Sequence, residues 1–225
     1  MNTVQKPHRP NFAIFGGSFN PPHQGHVELI RAVLSEAQVD HVFAVPANRS
    51  PFKSGPPSLP GDLRCDMMRT ALRDNARTTV LDWEITRPAP SYSVHTVEAL
   101  RAACPQADLH FVMGSDVFRT FRDWHRADRI LDLAGLIVLD RADGGEPMGS
   151  DPQAWAALLP ERWKASACKV SSAELADAQG RTLVRLLRTA IPAISSSHIR
   201  EAQALEAVPP GARDMLRHYL ASQLQ

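Results

Sequence analysis

Apolar residues along this chain come in two patterns, short unbroken runs and stripes spaced three and four residues apart. Residues 11–15 (NFAIF) form a short run that Gly16-Gly17 stops, as a buried strand would. Over residues 24–38, Val27, Ile30, Val33, Leu34 and Ala37 recur at helical steps and draw an amphipathic stripe. Further strands are predicted over 41–46, 78–83, 108–113, 135–140 and 182–187. Helices are predicted through Met67, Met68 and Leu72, over 94–103 behind a Ser93 cap, and over 126–133. Two more, 196–207 and 211–222, close the chain on either side of Pro209-Pro210. Residues 47–60 read as a proline-rich loop. Between 141 and 180 the pattern blurs: Asp143-Gly144-Gly145 opens a loop, and Trp155 and Trp163 are expected to pin an irregular or helical excursion.

Strands that alternate with helices of this length need crossover connections, so the expected fold class is α/β. A doubly wound, mainly parallel sheet with helices on both faces follows, because the strand runs are apolar without strict alternation. A C-terminal helical subdomain is expected beside it. Residues 1–10 read as a flexible lead, and 11–225 as a single domain whose helical part is 196–225.

Composition narrows the function classes. The 225 residues carry 25 basic and 24 acidic side chains, a formal charge of +1, which argues against a polycationic nucleic-acid binder. Cys65, Cys104 and Cys168 are odd in number and far apart, with no CxxC, so neither a disulfide framework nor a zinc ribbon is expected. A reducing cytoplasm is the simplest setting. The longest apolar run, 133–139, falls far short of the ~20 residues a membrane helix needs. The first ten residues are polar and proline-broken, without the apolar stretch of a secretory signal. A soluble cytoplasmic protein with no nucleic-acid or membrane partner is expected, and a homo-oligomer is left open.

In open α/β sheets, ligands bind beyond the carboxyl ends of the strands. The first strand delivers Gly16-Gly17-Ser18-Phe19-Asn20-Pro21-Pro22-His23-Gln24-Gly25-His26 to that place. Two glycines let backbone amides approach a ligand, and the next helix points its free N–H groups and positive dipole end there, which suits phosphate. His23 and His26, three apart at the helix start, can face one pocket. The spacing fits neither GxGxxG nor GxxxxGK[ST], and no carboxylate or cysteine pair stands near to complete a zinc site, so no metal ligand is assigned. A second anion signal lies at Ile194-Ser195-Ser196-Ser197-His198-Ile199-Arg200, where hydroxyls precede an arginine whose planar fork can clamp phosphate. By itself each stretch also reads plainly, as a glycine turn with surface histidines and as a serine-capped helix. Together they describe a protein gripping a polyphosphate.

The first stretch resembles the HxGH signature of the nucleotidyltransferase superfamily, and residues 194–200 resemble its ISxTxxR-type motif with Ser197 where threonine is usual. Three further stretches resemble the bacterial nicotinate-nucleotide adenylyltransferase branch: Val45-Pro46-Ala47-Asn48-Arg49-Ser50-Pro51-Phe52-Lys53, Arg87-Pro88-Ala89-Pro90-Ser91-Tyr92-Ser93, and Gly114-Ser115-Asp116 followed by Phe121-Arg122-Asp123-Trp124. Asn20 stands where aspartate is common, so no charge-dependent role attaches to it.

The resemblance implies a Rossmann-like nucleotidyltransferase fold and transfer of AMP from ATP to nicotinate mononucleotide. It implies that His23, His26 and Arg200 are catalytic, with His26 on the α-phosphate. Gly16, Gly17, Ser18, Gly114, Asp116, Ser195 and Ser197 would bind ATP, Asp116 at the ribose. Trp124 would stack on the pyridine ring, amides near Ser93 and His125 would take its carboxylate, and Lys53 would lie near the phosphate. Mg²⁺ would be held mainly by substrate phosphates and water. Without the resemblance, Trp124 reads as a half-buried anchor, Lys53 as a solvated side chain, Asp116 as a helix cap, and Arg119, Arg122, Arg126 and Arg129 as a face balanced by Asp123 and Asp128. Two alternatives stay open: another HxGH-type nucleotidyltransferase with a different phosphate acceptor, and a catalytically inactive nucleotide sensor.

Overall fold

A computed structural model describes residues 9–53, 55, 57–141, 147–149, 151–191, 195–202 and 204–223. Its strands are β1 (Asn11–Gly17), β2 (His41–Pro46), β3 (Thr78–Val80), β4 (Asp108–Gly114), β5 (Gly135–Arg141), β6 (Cys168–Ser171), β7 (Glu174–Ala176) and β8 (Thr182–Thr189). They form one sheet in the order β3-β2-β1-β4-β5-β8-β7-β6. Every pairing from β3 to β8 is parallel, while β7 and β6 run antiparallel on the far edge. The expected doubly wound α/β architecture is therefore present, and the strand order reverses between β1 and β4.

Side chains on β1 explain the two layers. Ile14 points to one face, into a cluster with Val97, Phe111 and Ile130; Ala13 and Phe15 point to the other, against Val27, Ile30 and Leu34. The second group belongs to α1 (Gln24–Glu36), which carries the predicted stripe. The first packs α3 (Ser93–Ala103) and α5 (Ala127–Leu133) on the opposite face. Each fully buried side chain of this kind contributes about 1.5–3 kcal/mol. A third cluster joins Met67 of α2 (Gly61–Leu72) to Ile199 of α8 (Ser196–Ala202) and to Ala212 and Leu216 of α9 (Pro210–Ser222). That contact lays the helical C-terminal part over α2.

Several boundaries differ from expectation. Gly16 and Gly17 do not stop β1; they are its last residues, paired with Val45 and Pro46. β3 ends at Val80 rather than 83, because the chain turns where Asp82 pairs with Arg69 at 3.1 Å and Trp83 stacks under Arg87 at 3.7 Å. Ser93 is the first residue of α3, not its cap; Tyr92 holds the cap position and no side chain bonds there. The helix expected over 196–207 ends at Ala202 and is followed by a 3-10 turn, Leu205–Ala207. The blurred segment resolves into α6 (Pro152–Ala156), α7 (Glu161–Lys164) and the β6–β7 hairpin, which sequence reading did not find. Trp155 pins it: the ring is buried and its indole N–H donates to Gly149 O at 3.1 Å. The guanidiniums of Arg162 and Arg181 both lie over the Trp163 ring. Asp143-Gly144-Gly145, Ile194 and most of the 1–10 lead fall outside the described residues. No described helix is long and apolar enough to cross a membrane.

Candidate active site

Beyond the carboxyl ends of β1 and β4, where the strand order reverses, lies a cavity of about 480 Å³. It is lined by Gly16, Gly17, Ser18, His23, His26, Lys53, Ser93, Gly114, Asp116, Trp124, His125, Ser195 and Ser197. Of the residues expected from sequence, Arg200 is the one not on its wall.

The loop after β1 is shaped by burial. Phe19 takes a left-handed backbone (φ 44), which costs a non-glycine residue about 1 kcal/mol or more, and its ring is buried edge-on against Phe15 and His26. Asn20 ties the loop down with both ends of its amide: Nδ2 donates to Ser58 Oγ at 3.2 Å, and Oδ1 accepts from Leu59 N–H at 3.0 Å. A carboxylate would lose the donor half of that tie. His23 precedes α1, and its backbone N–H donates to His26 Nδ1 at 3.1 Å. Neutral His26 therefore carries its proton on Nε2, as a donor. The imidazoles stack with centroids 3.6 Å apart.

Serines and arginine at the start of α8 dock onto this loop. Ser196 Oγ donates to Pro21 O at 2.9 Å, and Arg200 Nη1 donates to Asn20 O and to Ser196 O. Arg200 Nη2 donates to Ser197 Oγ at 3.1 Å, and Ser195 Oγ accepts from His198 N–H. The two stretches that sequence reading paired are thus joined through main-chain carbonyls. Arg200 spends much of its fork on that junction rather than facing the cavity. Lys53 Nζ donates to Ser18 Oγ at 3.3 Å, and burial, then Arg200 and Arg64, lower its pKa.

Arg64 is a buried support of these loops that sequence reading missed. It is 1% exposed and holds three carbonyls: Ser18 O at 2.6 Å, Ala47 O at 2.8 Å and Leu59 O at 3.1 Å. One guanidinium thereby locks the β1–α1 loop to the loop after β2. A signal existed, since Arg64 sits three and four residues before Met67 and Met68, on the apolar face of α2.

The opposite wall is aromatic. Trp124 meets Phe111 edge-on at 5.8 Å and Phe52 at 5.5 Å, and His125 lies 4.5 Å from the Tyr92 ring. Glu84, also missed, lies buried beneath: Thr96 Oγ1 donates to its Oε1, and burial pushes its carboxyl above the ordinary range against the pull of Thr96, Ser91 and His95. Arg122 pairs with Asp123 at 3.9 Å as expected, but Arg126 and Arg129 pair with Glu98, at 3.0 and 3.2 Å, while Asp128 pairs with Arg162. Asp116 folds back over Gly114, where any Cβ would collide with its Oδ1.

The cytidylyltransferase-like family model matches residues 14–202. The probable nicotinate-nucleotide adenylyltransferase of Gemmatimonas aurantiaca is 32% identical over 209 residues, covering 91% of this chain and 96% of that protein. Its counterpart in Syntrophotalea carbinolica is 33% identical over 85% of both. The structure of Plasmodium falciparum nicotinic acid mononucleotide adenylyltransferase complexed with NaAD shares the fold, with a TM-score of 0.67 at 16% identity over 93% of this chain and 96% of that one. The chain belongs to the cytidylyltransferase-like family and, within it, to the nicotinate-nucleotide adenylyltransferases.

Proposed function

We propose that this protein transfers the adenylyl group of ATP to nicotinate mononucleotide, giving nicotinate adenine dinucleotide and pyrophosphate. A phosphate oxygen of the mononucleotide forms a bond to the α-phosphorus, and the bond from that phosphorus to its bridging oxygen breaks. Pyrophosphate leaves with the electron pair. The attacking oxygen is already ionised at neutral pH, so no general base is needed, and the work is positioning and charge stabilisation.

The observation that carries this reading is the junction of Ser196 and Arg200 with Pro21 and Asn20, which sets the His23–His26 pair and the serines of α8 around one cavity. In the proposed roles, His26 Nε2–H donates to the α-phosphate as charge builds, and His23 donates beside it. Gly16, Gly17, Ser18, Ser195 and Ser197 cradle the triphosphate, with Gly114 and Asp116 at the ribose. Arg200 anchors the junction and adds positive charge next to the phosphates. Lys53 takes the mononucleotide phosphate, Trp124 faces the pyridine ring, and amides at Ser93 and His125 receive its carboxylate.

Among the described residues no group of three or more His, Cys, Asp or Glu could hold a metal ion. Mg²⁺ would be held by phosphate oxygens and water, as its reluctance to dehydrate favours. When bound, the ion would neutralise phosphate charge; the residues above orient the reactants. Residues 11–225 would act as one unit in the cytoplasm, with 196–225 completing its phosphate end.

The test is pyrophosphate release from ATP with a panel of acceptors. Release with nicotinate mononucleotide is expected. Release with phosphopantetheine or an alcohol phosphate instead would move the chain to another branch, and no release with any acceptor would leave it a nucleotide sensor.

A further inference from the structure

A second polar cavity, of about 790 Å³, opens at the opposite end of the sheet, along the first residues of β1, β4, β5 and β8. Five arginines line it, Arg9, Arg77, Arg101, Arg181 and Arg185, against two aspartates, Asp40 and Asp108. Helices end at this side, and their last carbonyls lack helical partners. Three such carbonyls, Leu131 O and Leu133 O of α5 and Ala37 O after α1, and Ala107 O in the turn before β4 hold the guanidiniums in place. Arg101 donates to Ala107 O and Leu133 O, each at 2.6 Å; Arg181 to Leu131 O at 2.6 Å; and Arg185 to Ala37 O at 3.0 Å. A carbonyl fixes the fork without cancelling its charge. Three of the five also have carboxylates: Arg9 with Asp108 at 3.6 Å, Arg181 with Asp177 at 3.1 Å, and Arg185 with Glu174 at 3.4 Å. Among the described residues, Arg77 and Arg101 have none within ion-pair distance.

His110 sits in the same wall, 7% exposed. Its Nδ1 is buried without a hydrogen-bond partner, so close to Gly135 that a Cβ there would stand 2.9 Å away. Burial first, then Arg185, brings its pKa down to about 4, so the ring is neutral at pH 7. A neutral imidazole still offers one N–H donor. Crowded guanidiniums with a neutral donor repel a metal cation. They suit a tetrahedral anion that accepts from several directions, and planar arginine forks match phosphate oxygens.

We propose that this cavity is a second binding site, for a phosphate-bearing small molecule, with Arg77 and Arg101, which hold no ion pair among the described residues, supplying guanidinium donors and His110 lying against the ligand. It is separated from the adenylyl-transfer site by the length of the sheet, and it does not depend on that activity.

Inorganic phosphate titrated into the full chain, with isotope-labelled histidines observed by NMR, tests it. The His110 signals are assigned by their loss in His110→Gln. They are expected to move saturably, and Arg77→Gln and Arg101→Gln are each expected to weaken the half-saturation at least about fivefold. The responses of His23 and His26 should stay unchanged in both variants. Arg101→Gln releases two part-buried carbonyls and can unfold the chain. Arg77→Gln keeps the test intact, because that side chain is exposed and makes one long contact, 3.5 Å to Leu34 O. His110 signals that do not move saturably overturn the proposal, as does a shift equally strong in Arg77→Gln.

Discussion

The imidazoles of His23 and His26 are stacked, their centroids 3.6 Å apart and their planes 24° from parallel. The backbone N–H of His23 donates to His26 Nδ1, so neutral His26 carries its donor proton on Nε2. In the proposed reaction that donor meets the charge that develops at the α-phosphate. His26→Ala should lower turnover by roughly 10²–10³, the scale for losing one such donor. Apparent ATP affinity should change much less. Pyrophosphate release followed across an ATP titration reads both, and near-normal turnover in a folded variant refutes the role.

Arg200→Lys tests the junction between α8 and the β1–α1 loop. A single ammonium cannot span Asn20 O, Ser196 O and Ser197 Oγ as the planar fork does. Apparent ATP affinity should fall while the circular dichroism spectrum is unchanged. Equal ATP binding by the two proteins would make Arg200 an ordinary surface residue of the helix.

Arg64→Met keeps the volume of α2's apolar face but leaves the carbonyls of Ser18, Ala47 and Leu59 without their donor. Each unmade buried hydrogen bond costs about 1–3 kcal/mol, moderated where the loop relaxes toward water. A loss of roughly 2–4 kcal/mol in urea unfolding is expected. A stability within about 0.5 kcal/mol of wild type would show that the three carbonyls find other donors.

Much of this was legible in the sequence, and the exceptions have physical causes. The core strands and α1 follow from their apolar runs and stripe, because both faces of the sheet are covered. β6 left no such trace: all four of its residues are exposed, and its pairing with β7 is main-chain bonding on an edge. The His23–His26 and Ser195–Arg200 stretches could be paired because each carries its own anion chemistry. Arg64 and Glu84 escaped because they are buried ionisable residues whose partners lie far along the chain, at Ser18 and Thr96. Residue type alone suggests a phosphate clamp at Arg200; its carbonyl partners become visible only once α8 is docked.

His110 should dominate one part of the acid stability profile. Its folded-state pKa, about 4, lies below the ordinary 6.5, mainly through burial. Between those values the unfolded chain binds more protons, so stability falls as pH drops from 6.5 through 4. The drop from 6.5 to about 4 corresponds to roughly 3 kcal/mol when complete. His110→Gln removes this titration. The difference in urea unfolding free energy, wild type minus variant, should be largest at pH 7 and shrink toward pH 4; a pH-independent difference would refute it.

Discrimination between the acid and amide mononucleotides should come from donors, not from stacking. Trp124 lines the cavity, braced by Phe111 and Phe52, and in its proposed stacking role a ring face does not distinguish a carboxylate from an amide. At the start of α3, by contrast, the first N–H groups have no helical acceptor, and the first turn carries no acidic residue. A carboxylate is favoured there, while the NH₂ of an amide would meet donor against donor. Glu84 lies close by, but burial raises its pKa and Thr96 occupies its Oε1, which lessens its repulsion of a second carboxylate. An unmade buried hydrogen bond costs about 1–3 kcal/mol, more when a charge is involved, and each ~1.4 kcal/mol is tenfold. A preference for nicotinate over nicotinamide mononucleotide of at least about tenfold in kcat/KM is therefore expected. Trp124→Ala should weaken both substrates and leave their ratio largely unchanged, since it removes what they share. Equal efficiency of the wild type with both would sink the acid-specific reading and leave the adenylyl-transfer chemistry standing. A ratio that collapses in Trp124→Ala would place the discrimination on the indole instead of on the helix start.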